Sequence, residues 1–322
     1  MNKVGSILKN RVNDNLILAV ILIITIVVMA IINDRFLTVG SFQSIAFQLP
    51  EMGLLTLAMM VPMITGGINL ASIPTANFSG IIMATWMTTL IPPGYDNPGL
   101  VIMIMIGGIL ISVVVSAING AIIAWFNVPA ILATLSTGIF ITGAALAMTR
   151  GAVISGFPPS FQFIGNGRLG AIPFPIIVFA VSAVLMFIIL RYTTLGVQSY
   201  MYGSNSTASE FSGVRTKLML VKTYALSGLF VGIAAIVLTS RFNSAAAEYA
   251  GSYLLLSVLI AVLAGINPNG GTGRVSGLVL SVLLLQVVTS GLNFMRASPF
   301  LTTALYGILL LLAMALRSKR TN

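Results

Sequence analysis

The sequence predicts an all-α fold: a polytopic membrane helix bundle of about ten transmembrane helices, a single domain over residues 1–322. Three observations lead there. The chain is 57% hydrophobic and 7% charged, whereas a soluble domain carries about a quarter charged residues. Its apolar runs are mostly about 18–25 residues long, enough to cross roughly 30 Å of hydrocarbon as helices. Those runs do not alternate apolar with polar, as the roughly ten-residue strands of a barrel would. Membrane lipid is therefore the chain's first partner.

Taken in order, residues 16–32 form the first span, closed by Asn33, Asp34 and Arg35. The basic stretch before it leads into an apolar run too long for a signal peptide and followed by no A-x-A site, so an uncleaved first helix is expected. Residues 44–65 form the second span, with Pro50, Glu51 and Pro62 inside it. Next comes a broken passage, ITGGINLASIP at 64–74, then a third span at 75–91 and the loop PPGYDNPG at 92–99. The fourth span is 100–125, and Asn127 and Pro129 turn the chain tightly into the fifth, 130–149. A Gly- and Pro-rich polar loop from Arg150 to Ala171 precedes the sixth span, 172–190.

The chain then pauses for its one sizeable polar segment, 191–222. A two-turn helix is expected near 206–212. Asn205 or Ser206 can cap its start, Thr207 and Glu210 have capping-box spacing, and Gly213 stands where helices end in the left-handed conformation. Either this is a merely solvated loop, or a short exposed helix that needs a partner to dock on. A seventh span, 218–239, leads to the loop RFNSAAAEYAG and a short eighth span, 252–264. That span ends in GINPNGGTGR, a second broken passage at 265–274, before spans nine (275–293) and ten (299–316).

Ten crossings put both termini on one side. That side would hold Lys3, Lys9, Arg11, Arg191, Arg215, Lys217, Lys222, Arg274, Arg317, Lys319 and Arg320. The other would hold Arg35, Arg150, Arg168, Arg241 and Arg296. Eleven of the 16 basic residues on one face place the termini and the 191–222 segment in the cytoplasm by the positive-inside rule. The net charge of +10 thus reports orientation, not nucleic-acid binding.

The two broken passages read alike, Gly67-Ile68-Asn69 against Gly265-Ile266-Asn267. Paired interruptions at corresponding places point to a transport pathway built from repeats; ordinary interhelical turns are the alternative. Glu51 is the acid that lies clearly within an apolar run, so it faces a bundle interior or a cavity, or reaches water near the boundary. Gln48 lies one turn away on the same face. Gln286, Thr289, Ser290 and Asn293 form a polar stripe that either lines a pathway or bonds across helices. Asn69, Ser72 and Asn77 in and after the first break, and Asn267 in the second, complete the candidate pathway residues. Ser112, Ser116 and Gly120 read as close helix packing.

Several chemistries are excluded. The chain has no Cys and no His, so it lacks thiolates, imidazole bases and the commonest metal ligands; no catalytic or metal residue is assigned. There is no GxxxxGK[ST] phosphate loop. One candidate buried acid is thin support for a proton-driven carrier, which points to an energy source on another chain.

At this point the residues carry a resemblance. ITGGINLAS at 64–72 is similar to the GGIDLS-type signature of ribose-type permeases of ATP-binding-cassette importers, within the branched-chain amino acid and sugar permease superfamily. YGSNSTASEFSGV at 202–214 resembles their G-x-N-x-x-A-x-x-x-SG[IV] cytoplasmic loop. LAGINPNGGTGRVSGLVLSVLLLQVVTSGLNF at 263–294 resembles their G-x(n)-GG-x-GR-x-x-G…NGLN stretch. The resemblance implies a type II importer permease in the bacterial inner membrane, homodimeric or paired with a homologue. An ATPase subunit carrying ATP and Mg and an extracytoplasmic solute-binding protein would be its partners, and the permease itself would hold no cofactor. Within a coupling segment at about 191–217, the helix at 206–212 would dock on the ATPase, involving Gly203, Asn205, Thr207, Glu210, Ser212 and Gly213. This chain has Asn69 where the family usually has Asp, and its loop acid stands at Glu210 rather than near Ser206. The implied solute is a monosaccharide or similar small polar molecule; nucleosides, a furanose signal molecule or branched-chain amino acids are alternatives. A secondary carrier using Glu51 and a transport-inactive scaffold are the readings of other classes.

Overall fold

A computed structural model describes residues 2–33, 36–92, 94–298, 300–308 and 311, with side chains from residue 15 onward. Arg35, Arg317, Lys319 and Arg320, the side chains of Lys3, Lys9 and Arg11, and the end of the expected tenth span lie outside the described residues. The helices are α1 (Asn2–Ile32), α2 (Val39–Ile64), α3 (Ser72–Leu90), α4 (Pro98–Phe126), α5 (Ala130–Thr149), α6 (Pro159–Asn166), α7 (Phe174–Tyr192), α8 (Thr194–Ser204), α9 (Ser206–Phe211), α10 (Thr216–Phe242), α11 (Tyr253–Leu263) and α12 (Val275–Phe294). Residues 300–308 are helical as well. Two tiny antiparallel ladders complete the architecture, β1 (Ile154–Ser155) with β4 (Ser244–Ala245) and β2 (Arg168–Leu169) with β3 (Ile172–Pro173).

Among the described residues, seven helices are long and apolar enough to cross a membrane: most of α1, and α2, α4, α5, α7, α10 and α12. The all-α membrane bundle is therefore observed, with seven rather than ten spans meeting both criteria. α11 is too short, at 11 residues, and α3 is too rich in Thr, Ser and Asn.

α2 is the axis. Every residue from Leu49 to Ile64 is buried, so a helix apolar all round has protein, not lipid, on every side. It stays helical through Pro50 and Pro62, and α10, α7, α11 and α12 pack around it. α1 is the reverse case. It rests against α12 and leaves Ile23, Ile24, Val27 and Ile31 exposed, the composition expected of a lipid-facing helix.

The α4–α10 pair is sealed by small residues. A β-carbon on Gly228 would lie 2.5 Å from the Ser112 carbonyl oxygen and 2.8 Å from Ser116 Cβ, and one on Gly120 2.9 Å from Val221 Cα. Only hydrogen fits there, which lets the two backbones approach directly.

Two segments hold more structure than their composition suggests. In the 150–171 loop, α6 lies across the end of α10, where Ser240 Oγ donates to the Phe161 carbonyl at 2.6 Å and accepts from Gly165 N at 2.7 Å. In the 191–222 segment, α8 precedes the short helix. Its composition carries no apolar period, and packing of buried Gly196 and Ser199 against neighbouring helices holds it instead.

Candidate functional site

Three groups of residues position the chemistry. The first is the pair of broken passages, whose helices end alike. α2 closes with Gly66 at φ +82°, with Gly67 N donating to Pro62 O and Gly66 N to Met63 O. α11 closes with Gly265 at φ +86°, with Ile266 N donating to Ala261 O and Gly265 N to Val262 O. Both are Schellman ends, in which a left-handed glycine lets the chain leave the helix without orphaning its last carbonyls. The structural equivalence is therefore Gly66 with Gly265, one residue off the Gly67–Gly265 register read from the sequence.

The two asparagines consequently differ. Asn69 is buried, and its Nδ2 donates to Ser227 Oγ at 3.1 Å, which in turn donates to the Ala58 carbonyl at 2.7 Å. Asn267 bonds within its own loop, its Oδ1 accepting from Asn269 N at 3.1 Å. The non-helical backbone of the first passage is satisfied by α5: Thr134 Oγ1 accepts from Leu70 N at 3.1 Å and reaches the Ile68 carbonyl at 3.0 Å, as well as the Ala130 carbonyl of its own helix at 2.7 Å. Non-helical backbone at membrane depth requires such partners. Thr134→Val should therefore cost about 1 kcal/mol by leaving the half-buried Leu70 amide unpaired, read as a lower thermal unfolding midpoint in detergent, while Thr134→Ser should cost little.

The second group lies on the half of α2 nearer its start. Glu51, 2% exposed, is ion-paired through Oε1 with Arg241 Nε at the end of α10. Its Oε2 accepts from Tyr253 OH at 3.1 Å at the start of α11. One carboxylate thus ties three helices. One turn earlier, the Phe47 ring lies 5.5 Å from the Arg241 guanidinium and 5.2 Å from that of Arg168 on β2. Gln48 takes a separate route, bonding Gln286 of α12 at 3.3 Å and Ser44 at 2.9 Å. Gln286 also bonds Ser290 at 3.2 Å, and Thr289 bonds Tyr306 at 2.6 Å. The α12 stripe therefore links helices, and Asn293 stands apart from it, exposed. Ser72 is buried at the start of α3. Asn77 Nδ2 donates to the Ala247 and Tyr249 carbonyls at 3.0 and 2.8 Å, holding the loop after β4.

Sequence reading named neither Arg241, Tyr253 and Phe47 nor Ser227 and Thr134 as members of these groups. A buried acid demands a partner, so Glu51 implied a base, and Arg241 was available. Lone hydroxyls in apolar helices carry no comparable signal.

The third group is α9. Asn205 is the cap, its Oδ1 accepting from Ala208 N at 2.9 Å. The expected capping box does not form, because the residue three past the cap is Ala208, while Thr207 and Glu210 sit inside the helix with exposed side chains. Gly213 ends α9 at φ +81°, with Val214 N donating to Ser209 O and Gly213 N to Glu210 O. It is the third Schellman end at the same face of the bundle. Ser212 Oγ bonds back to Ala208 O at 2.8 Å. An open groove lined by Tyr200, Met201, Ser204, Ala208 and Ser212 runs between α8 and α9, and Phe211 is 90% exposed beside it. Desolvation, then the nearby Glu210 carboxylate, pushes the Tyr202 phenol above its usual pKa.

Residues 41–314 match the family described as the branched-chain amino acid transport system / permease component. The chain belongs to that permease family. The permease is 30% identical over 302 residues to the ribose import permease protein RbsC of Bacillus subtilis, covering 93% of this chain and 91% of the relative. It is 28% identical to the autoinducer 2 import system permease protein LsrD of Yersinia enterocolitica, covering 96% and 92%. It is also 28% identical to the LsrD of Photorhabdus laumondii, covering 94% and 90%. These relatives are transport subunits rather than enzymes. No solved structure matches the chain.

Proposed function

We propose that this permease is the membrane subunit of an ATP-driven importer for a monosaccharide or similar small polar solute, working by alternating access with ATP hydrolysed on a separate ATPase chain. The observation that carries the reading is α9: a capped two-turn helix with an exposed Phe211, standing on α8. Such a helix buries little of its own and has the form of a docking element. Its end of the bundle is cytoplasmic on this reading, and both termini are with it. The seven clear spans, together with α3, α11 and the helix at 300–308, make ten crossings, as in type II importers.

The solute class follows the relatives named for ribose and autoinducer 2 import. Gln48, Asn69, Ser72, Asn77, Asn267 and Gln286 are neutral hydrogen-bonding groups, bonded to one another or to neighbouring helices and loops in this conformation, and a path that exposes them on opening suits an uncharged polyol that must also leave again. A solute-binding protein on the far face supplies most of the selectivity, and a second permease copy or paired homologue completes the pathway. Ion pairing of Glu51 with Arg241 disfavours a free proton-carrying carboxylate and hence the secondary-carrier reading.

The test is reconstitution of the permease with its ATPase and binding protein in vesicles, with pentoses, hexoses, furanose signals, nucleosides and branched-chain amino acids offered in turn. ATP-dependent uptake of a sugar or furanose is expected. Uptake by the permease alone under a proton gradient would overturn the proposal.

A further inference from the structure

The segment that bears α9 meets both broken passages at one point, and the meeting is made of backbone. Gly203, in the last turn of α8, is packed so closely that a β-carbon there would lie 1.9 Å from the Ile64 carbonyl oxygen and 2.4 Å from Gly271 N. Those two atoms are themselves hydrogen-bonded, Gly271 N donating to Ile64 O at 2.8 Å. Gly203 therefore sits over a hydrogen bond that joins the end of α2 to the second passage. Gly270, at φ +95°, would place a β-carbon 2.8 Å from Gly203 Cα and 2.9 Å from Gly66 N. One turn back on α8, Tyr200 OH donates to the Gly273 carbonyl at 2.9 Å.

Ser204 and Asn205 alone separate Gly203 from α9. Asn205 closes α8 through its N–H, which donates to Met201 O at 3.0 Å, and the same residue caps α9 with its side chain. One residue serves as the end of one helix and the start of the next. A displacement of α9 is thus carried into α8 within a turn, and from α8 into both passages at once. Backbone packed against backbone has no rotamers to absorb a shift, so such a contact transmits movement where side chains would yield.

We propose that Gly203, Gly270 and Gly271 form the transmission point of the permease: positioning residues through which movement of α9 shifts the first and second broken passages together. The proposal rests on the importer reading above, and it adds where the force enters and why both halves respond in step. Gly203→Ala should force the contact apart by about 1.5 Å, from 1.9 Å to ordinary contact at 3.4 Å, without touching α9 itself. Tyr200→Phe removes only the hydroxyl tie.

The experiment uses the reconstituted complex of permease, ATPase and binding protein, with three readouts: ATPase co-purification, ATP hydrolysis, and ribose taken up per ATP hydrolysed. Because Gly203 packs inward on Ile64 and Gly271 rather than facing outward with α9, Gly203→Ala is expected to keep the ATPase bound and hydrolysing while ribose per ATP falls about tenfold, about 1.4 kcal/mol. Tyr200→Phe should lower the same ratio by a smaller factor. A purely structural role for these residues would lower the amount of complex and leave the ratio unchanged. If Gly203→Ala fails to assemble, Tyr200→Phe decides, and a wild-type ratio in it overturns the proposal. Wild-type ratios in both variants, with transport intact, overturn the junction alone. A wild-type chain that binds no ATPase and takes up solute without one overturns the importer reading, and with it the junction's role.

Discussion

Arg241→Ala should lower the thermal unfolding midpoint of the purified permease more than any other single truncation of a charged residue. The change leaves the Glu51 carboxylate, 2% exposed, inside the bundle without its ion-pair partner. Breaking a buried pair by removing one member costs about 3–5 kcal/mol. The lower end, about 3 kcal/mol, is expected here because the Arg241 side chain keeps 21% of its exposure and water screens it. Glu51→Ala strands the opposite charge at a wetter position and should cost less. The double variant Glu51→Leu with Arg241→Met removes both charges and should recover most of the loss, since the desolvation cost disappears along with the attraction. That non-additivity is the diagnostic. A double variant as unstable as Arg241→Ala alone would mean that the pair is not what holds α2, α10 and α11 together.

Replacing Asn205 with Ala and Gly213 with Val should abolish ATP-coupled uptake while leaving the bundle's melting temperature unchanged. α9 has six residues, far below the length at which a helix persists unaided, so its two ends decide whether it forms. Losing the Asn205 cap costs about 1 kcal/mol. A β-branched residue at φ +81° costs roughly 1–2 kcal/mol more. Neither substitution reaches the buried core, because Gly213 has open space around the position of its β-carbon. Uptake and ATPase co-purification are the measurements, with near-complete loss of both expected. Survival of both in a variant shown by hydrogen exchange to lack α9 would sink the docking assignment.

Much of the bundle was legible because membrane helices announce themselves. α5 runs over the very residues 130–149 that its apolar run and the Asn127–Pro129 turn marked out, and α12 begins at Val275 where the Gly-rich passage stops. α8 was not legible. It carries two glycines and no apolar stripe, and tertiary contacts hold it against its own propensity. The register between the two breaks slipped by one residue because the repeated Gly-Ile-Asn triplet looked like the equivalence. The helix ends are set instead by which glycine takes the left-handed turn, and that depends on hydrogen bonds no spacing displays. The candidate pathway residues were recognised as polar positions in apolar sequence. Ser227, which partners Asn69, and Thr134, which holds the neighbouring backbone, lie on other helices and carry no mark in one dimension.

The Glu51–Arg241 pair also has a history to be lived through each time the chain is made. Glu51 is synthesised 190 residues ahead of Arg241, and at about 5–20 residues per second the interval is roughly 10–40 s. For that time the acid lacks the counter-charge of Arg241, and placing it in hydrocarbon costs about 2.5–3.5 kcal/mol. α2, with a mean hydropathy of 1.4 against 3.2 for α1, therefore gains its full stability in the bundle only when α10 arrives, long after the ribosome has delivered it.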